Sequence, residues 1–153
     1  MGNSIDPRSQ FDGGYLYVKT DRPYYYPGNV VMGKIYIRTS TQLDAKDMKI
    51  KVKGKEQGSF WEGGGDNRHK NEFKRQLINF EATCMKFEEV LGIGDYTIPF
   101  EFQIPATAPA SLIIENTGHG DDPKAKIKYS IQVTLSTKSD KIMKYKQWLI
   151  IYE

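Results

Sequence analysis

Apolar and polar residues alternate along most of this chain with a period of two, which places every second side chain on one face of a β-strand. Residues 94–112 show this most clearly, because one face collects the apolar side chains of Tyr96, Ile98, Phe100, Phe102 and Ile104. The turn formers Gly94-Asp95 open the segment, and Pro105 and Pro109 prevent it from continuing as a ladder. The pattern predicts a half-buried strand whose apolar face belongs to the core.

The same signal recurs along the chain and predicts most of the remaining strands. Residues 73–90 have an ambiguous period, but their Ile, Phe, Thr and Val residues favour a strand over a helix. Further strands are expected at 15–20, 30–38, 48–53, 127–135 and 142–152, and 112–114 is a short apolar run. About seven to nine strands separated by turn signals, with no convincing helix, indicate an all-β, immunoglobulin-like antiparallel β-sandwich.

Glycines and turn formers mark where the strands should weaken or end. Gly54 and Gly58 are expected to weaken the pairing of the strand that begins at Met48. Residues 62–72 contain three consecutive glycines and no periodicity, so they predict a mobile loop. A second loop is expected at 116–123.

Length and composition fit one domain at 15–153, preceded by a flexible segment at 1–14. The chain has 153 residues, of which 39% are hydrophobic, enough apolar surface for a substantial core. Its net charge of +3 suits acidic partners but is too small to indicate nucleic-acid binding. Cys84 is the only cysteine, and no signal peptide or apolar run of membrane-spanning length occurs, which favours a cytoplasmic protein.

The chemistry of the side chains offers little for catalysis. His69 and His119 lie in predicted loops without a neighbouring nucleophile, and Cys84 lies in an apolar-rich stretch where an inert thiol is expected. No nucleophile elbow, zinc-protease or phosphate-loop motif is present. The sequence predicts a protein that is not an enzyme and needs no cofactor or metal.

Four motifs, taken in order, resemble the N-terminal domain of the arrestin family. The first two are Tyr26-Pro27-Gly28 with Val31-x-Gly33-x-Ile35, and the strand Met48–Gly54. The third is the Gly94–Pro105 segment, which resembles the arrestin Pro-Phe-x-Phe-x-(Leu/Ile)-Pro strand, and Pro109-Ala110-Ser111 follows it as the Pro-x-Ser element. The fourth is Lys128–Val133, and the likeness extends from about residue 15 to 152.

Departures from the visual and β-arrestin pattern make α-arrestins the better comparison. There is little room at 75–93 for the short helix of those arrestins. Asp21 resembles the acid of their buried ionic cluster, but the last strand offers only Lys144 and Lys146 where they have an arginine. The resemblance implies an intracellular adaptor that binds cytoplasmic parts of receptors or transporters, including phosphorylated ones, in trafficking or signalling.

Basic residues supply the candidate contacts for such partners. Lys49, Lys51 and Lys53 share one face of the third strand, with Lys55 next in line, and could meet phosphorylated tails or an anionic membrane surface. The alternative is a solvated face that protects a sheet edge from aggregation. Lys19 and Arg22 lie near the position where arrestins keep phosphate-contacting residues, with ordinary surface charge as the alternative.

Three other interpretations remain open from the sequence. Gly2 begins a stretch like an N-myristoylation signal, although Asp6 stands where Ser or Thr is favoured, and acylation would make the protein peripheral at membranes. The adaptor could instead be an arrestin-like subunit of the retromer sorting coat. The rival from another class is a carbohydrate-binding sandwich in which Tyr24–Tyr26 and Phe60-Trp61 form an aromatic platform.

Overall fold

The computed structural model describes residues 9–11, 13–114 and 124–153. Over these residues, the regular secondary structure consists of β-strands and one three-residue 3₁₀ helix, Gly65–Asn67. The strands are β1 (Ser9–Phe11), β2 (Gly14–Thr20), β3 (Val30–Thr39), β4 (Ala45–Glu62), β5 (His69–Lys86), β6 (Gly94–Gln103), β7 (Leu112–Ile114), β8 (Lys124–Thr137) and β9 (Ile142–Leu149). The strand preferred for 73–90 is confirmed as part of β5.

These strands form two antiparallel sheets that pack across one core. The first sheet has the order β1-β2-β3-β6. In the second, β4 lies between β5 and β8, while β7 and β9 both pair with the far side of β8. The predicted all-β sandwich is confirmed. Strand β1 lies inside the segment 1–14 that the sequence predicts to be flexible, and residues 1–8 fall outside the described part of the chain.

The core lies where the alternating pattern places it. In β6 and just after it, Ile98, Phe102 and Ile104 are buried, and Tyr96 and Phe100 are partly buried against the same cluster. Every inward residue of β8 from Ile127 to Leu135 is buried as well. Each buried side chain of this size contributes about 1.5–3 kcal/mol through removal from water, so these two strands supply much of the driving force for folding.

The β4–β5 hairpin is longer than the sequence predicts. Pairing continues through Gly54 and Gly58 to Glu62, so the predicted mobile loop at 62–72 is wrong except at the hairpin tip. A Cβ added at Gly54 would lie 2.5 Å from the ring of Tyr129, and one added at Gly58 would lie 2.5 Å from the ring of Phe73. Aromatic rings on neighbouring strands fill the space above both glycines. The expected weakening is confirmed only as a register shift of β4 against β5 between Gly54 and Lys55, and β4 continues beyond it.

The chain end that follows β9 connects the two sheets, in what we call the clasp: Tyr25, Ser111 and Ile151. Tyr25 forms a parallel bridge to Ile151, in which the Tyr25 N–H donates to Ile150 O at 2.9 Å and the Tyr152 N–H donates to Tyr25 O at 2.8 Å. Ser111 donates its N–H to Ile151 O at 2.7 Å and accepts the Ile151 N–H on its Oγ at 3.0 Å. The Pro-x-Ser element thus has a visible structural role, since its serine holds the end of the last strand.

Asp21, the acid compared with the buried arrestin cluster, finds its partners within its own turn and the adjacent strand. It accepts the hydroxyl proton of Tyr25 and, at 3.4 Å, the N–H of Met32, and it lies 4.0 Å from Arg22 Nε. Its side chain is 39% exposed. Lys144 and Lys146 lie on an exposed face of the other sheet. The described residues therefore form a local turn anchor at this position, rather than a buried ion cluster.

Replacing Tyr25 by Phe is expected to lower the free energy of unfolding near neutral pH by about 1 kcal/mol. This is the low end for a hydrogen bond to a charged group, because Asp21 is partly exposed. The Tyr25 hydroxyl is the largest cause that lowers the pKa of Asp21 below its ordinary 3.8. Stability from a lowered carboxyl pKa is present above 3.8 and disappears as pH falls through the lowered value.

Urea unfolding of wild type and Tyr25→Phe should therefore differ most at neutral pH and less well below pH 3.8, where only the 3.2 Å bond from the Arg22 N–H to the Tyr25 hydroxyl is still lost. Tyr26→Phe is the control, since Tyr26 is exposed. An equal difference at both pH values would show that the Asp21 carboxylate is not the partner that matters.

Candidate functional site

The outer face of the second sheet is strongly basic. Because Met48, Ile50 and Val52 are buried, the lysines between them must point away from the core. Strands β8 and β9 follow the same rule and present their own lysines on this face. The result is a basic face three strands wide, formed by Lys49, Lys51, Lys53, Lys55, Lys126, Lys128, Lys144 and Lys146.

The register of the three strands brings part of this face together as a groove of about 320 Å³. Lys55 lies opposite Lys128, and Ser130 lies between Lys53 on one side and Trp148 on the other. We call this the lysine groove; its lining is Lys53, Lys55, Gln57, Lys126, Lys128, Ser130, Gln132, Lys146 and Trp148. Cationic and neutral polar side chains dominate it, and they match the hydrogen-bonding needs of an anion.

Trp148 orders the cations at one side of the lysine groove. The Nζ atoms of Lys128 and Lys146 lie 5.1 Å and 4.8 Å from the centre of the indole ring. Cation–π contacts of this length contribute about 0.5–1 kcal/mol each at exposed sites. The Trp148 side chain is itself 58% exposed, so both ammonium groups are held beside a ring that a ligand can reach.

The lysines of this face lie close enough together to repel one another. The pKa of Lys53 is lowered, primarily by the charge of Lys51 and further by those of Lys55 and Lys146. Lys51 also lies 3.9 Å from Glu81 of β5, which places an acid at the margin of the face. A bound anion would relieve the repulsion around Lys53 and would favour its protonated form.

Replacing Lys53 by Gln is expected to raise the melting temperature slightly at low salt while weakening the binding of an anion. A lowered lysine pKa means that the protonated form is disfavoured by folding, so the penalty is fully present below the lowered pKa and disappears above the ordinary value of 10.5. Thermal unfolding near neutral pH measures the gain, which salt should erase through screening. A lower melting temperature in Lys53→Gln at low salt would contradict the repulsion.

The structure separates the remaining predicted basic residues from the lysine groove. Lys49 and Lys51 lie nearer the start of β4, opposite Thr134 and Gln132, and neither is in the lining. Lys19 belongs to β2 in the other sheet, where it lies opposite Lys34. Arg22 follows β2, and its Nη1 lies 3.4 Å from the side-chain oxygen of Asn29. Phosphate contact by any of these residues stays a prediction.

The topology also tests the alternatives for the lysine stripe and the aromatic residues. Strand β4 lies between β5 and β8, so its lysines do not protect a sheet edge. Of the two aromatic groups considered for a carbohydrate platform, Tyr24 packs on Tyr152 with ring centres 4.9 Å apart. Trp61 lies at the hairpin tip, where Arg68 covers its ring at 4.5 Å. The two aromatic groups therefore pack on different residues, and these contacts do not join them into one platform.

The remaining chemical candidates can be placed briefly. Cys84 is half-buried, and burial raises the pKa of its thiol, which fits the inert thiol expected there. His69 lies 3.5 Å from Glu62 in the hairpin, while Gly2 and His119 lie outside the described residues. Over the described ranges, no three His, Cys, Asp or Glu side chains come together as metal ligands, and no helix has the length and apolar character to cross a membrane.

Sequence reasoning identified Lys53 and Lys55 but missed the other half of the lysine groove. Lys128, Lys146 and Trp148 occupy alternate positions on their strands, the same signal that marked the stripe on β4. That signal shows that these side chains point away from the core. The adjacency of β4, β8 and β9, which brings them together, is a property of the topology.

A family comparison agrees with this architecture. The family model for the N-terminal domain of arrestin (or S-antigen) matches residues 15–152. The chain therefore belongs to the arrestin family, and its sandwich is an arrestin N-terminal domain. Proteins of this family generally act as adaptors and not as enzymes.

Individual relatives are more distant. The chain is 25% identical to arrestin domain-containing protein A of Dictyostelium discoideum over 166 aligned positions, which cover 99% of this chain and 27% of that protein. The crystal structure of Spo0M, a sporulation control protein from Bacillus subtilis, superposes with a TM-score of 0.56 at 11% identity. That superposition covers 94% of this chain and 51% of Spo0M, and it concerns the fold alone. The chain thus spans about a quarter of the first relative and half of the second.

Proposed function

We propose that this domain is a non-enzymatic adaptor that binds acidic or phosphorylated segments in the cytoplasmic parts of membrane receptors or transporters. It would act in the cytoplasm, close to membranes, in trafficking or signalling. The observation that carries the proposal is the lysine groove, where cations from β4, β8 and β9 converge around Trp148. The adaptor role is inferred from the family, and the acidic or phosphorylated character of the bound segment is inferred from the positive charge of the lysine groove.

The geometry favours an extended segment that carries more than one negative charge. Lys53 and Lys55 lie two residues apart on β4, while Lys128 and Lys146 approach from the neighbouring strands. A phosphorylated side chain adds about 1.5 to 2 negative charges and three strong acceptor oxygens. Lysines act on such a group as point charges rather than in the two-pronged manner of arginine, so binding should depend strongly on charge and on salt.

The test compares three fluorescently labelled peptides that share one parent sequence. They are a phosphoserine peptide, its unphosphorylated form, and a form in which every acidic residue is changed to its amide. Fluorescence anisotropy should show binding in that order, with the phosphorylated peptide losing most affinity when salt is raised. Equal binding of all three peptides, or no binding of the phosphorylated one at low salt, would remove the proposal.

A further inference from the structure

A second groove opens beside the lysine groove, at a gap in the sheet. Strand β7 pairs with β8 up to Ile127, and β9 begins to pair at Tyr129, so neither strand covers β8 at Lys128. The gap forms a groove of about 400 Å³. We call it the apolar groove; Leu112, Ile113, Ile127, Trp148, Ile150 and Tyr152 supply its apolar walls.

The apolar groove leaves two isoleucine side chains exposed beside Trp148. Ile113 is 59% exposed and Ile150 is 43% exposed, and both face the gap together with Trp148. Contiguous apolar surface of this kind marks binding sites in soluble domains. Lys128 and Trp148 line both grooves, so a ligand that fills one lies directly against the other.

We propose that the two grooves form one binding site for a segment with two parts: an acidic or phosphorylated cluster, and one bulky apolar residue. The lysine groove takes the negative charges and the apolar groove takes the apolar side chain, with Trp148 between them. This inference rests on the proposed function and narrows the class of segment recognised. Charge alone would leave the site promiscuous, whereas an apolar anchor adds discrimination among acidic segments.

The spacing of the two parts follows from strand geometry. Lys146 of the lysine groove and Ile150 of the apolar groove are four residues apart in and just after β9, and extended chain rises about 3.3 Å per residue, which places these two residues about 13 Å apart. A peptide bound in an extended conformation covers the same distance in about four residues. The apolar residue should therefore stand about four positions from the nearest acidic or phosphorylated residue.

The shape of the apolar groove favours a peptide side chain over a lipid bilayer. The gap is bounded on one side by the end of β9 and on the other by β7, so its apolar atoms line a concavity between two pieces of backbone. A bilayer binds best to apolar side chains that project from a surface, whereas a concavity of this size matches one or two side chains.

The peptide test uses a phosphoserine peptide with leucine four positions away, and three altered forms. In these, leucine becomes alanine, phosphoserine becomes serine, or leucine moves to be adjacent to phosphoserine. Changing leucine to alanine should weaken binding roughly tenfold, the scale expected for burying one such side chain. Moving leucine should cost about as much, because neighbouring side chains of an extended peptide point to opposite sides, and leucine would then point away from the apolar groove.

Variants of the protein locate the effect. Ile113→Ser should weaken binding of the leucine peptide and leave the alanine peptide unaffected. Ile142→Ser is the matched control, because Ile142 is 55% exposed on the same sheet but lies at the start of β9, outside both grooves. Both substituted side chains are exposed, so both variants should fold, which circular dichroism can verify.

The outcomes separate the two proposals. If the leucine and alanine peptides bind equally while phosphoserine is still required, the two-part site is wrong and the acidic-segment adaptor stands. If no phosphorylated peptide binds, both are wrong. Vesicles of phosphatidylcholine with phosphatidylserine form the last arm: loss of vesicle binding in Ile113→Ser, with no effect on peptides, would assign the apolar groove to a bilayer and overturn the inference.

Discussion

A double variant, Lys53→Glu with Lys128→Glu, is expected to bind a phosphorylated peptide roughly a hundredfold more weakly at low salt. Each substitution replaces an attraction with a repulsion at the lysine groove, and a charge pair about 4 Å apart near a protein surface is worth about 1–4 kcal/mol. At the lower value, each reversal removes about 1 kcal/mol of attraction and adds about 1 kcal/mol of repulsion. Two reversals therefore exceed the roughly 2.8 kcal/mol that corresponds to a hundredfold loss. Because both side chains lie on the outer face of their sheet, thermal unfolding should stay close to that of wild type.

The control keeps the same change in net charge but places it elsewhere. Lys86 lies at the end of β5 and Lys138 in the turn after β8, both exposed and outside the two grooves. Lys86→Glu with Lys138→Glu should bind within about twofold of wild type, apart from a small long-range effect that salt screens. An equal loss in both double variants would show that net charge matters and that the groove does not.

The largest expected effect on stability comes from Gly54→Ala, which should lower the free energy of unfolding by about 2–3 kcal/mol. The new methyl group would lie 2.5 Å from the Tyr129 ring, which is only 1% exposed, and overpacking of this kind typically costs about 1–3 kcal/mol. The ring is also fixed at its far end, since the Tyr129 hydroxyl donates to Pro109 O at 2.6 Å.

Moving the Tyr129 ring would therefore strain a hydrogen bond as well as a packing contact. Burial raises the pKa of this hydroxyl to about 12, so it stays protonated and remains a donor throughout the ordinary pH range. For a chain of this size, the loss corresponds to a melting temperature lower by roughly 5–10 °C. Differential scanning calorimetry measures it directly.

Gly64→Ala provides a matched control in the same hairpin. Gly64 has an ordinary extended backbone, with φ of −141°, and no atom lies within 4 Å of the position of an added Cβ. Its melting temperature should stay within about 1–2 °C of wild type. If Gly54→Ala behaved in the same way, the Tyr129 ring would have to be mobile rather than closely packed.

Period-two patterning predicts this fold well wherever one face of a strand is buried. Residues 96–104 and 127–135 are confirmed because their apolar side chains meet a core that the pattern itself implies. The same reasoning ended β4 too early at Gly54 and Gly58. The propensity of glycine was overridden there by aromatic rings from neighbouring strands, Tyr129 and Phe73, and these partners are distant in sequence.

The candidate site was predictable only in part, for a related reason. Lys53 was identified because its own strand carries the lysine alternation. Trp148 was not, since its importance depends on the pairing of β9 with β8, and of β8 with β4. Gaps between strands leave still less trace in a sequence. The apolar groove exists because β7 and β9 leave Lys128 uncovered, which no local pattern records.

The clasp of Tyr25, Ser111 and Ile151 has a consequence for how the domain is made in the cell. Tyr25 and Ile151 pair although more than a hundred residues separate them along the chain. While the ribosome is still adding residues, the turn that follows β2 must wait for Ile151 to be made, and apolar strand faces stay uncovered until then. Nascent chains arrested before Ile151 should accordingly be captured by chaperones, and release should follow once the final strand has emerged.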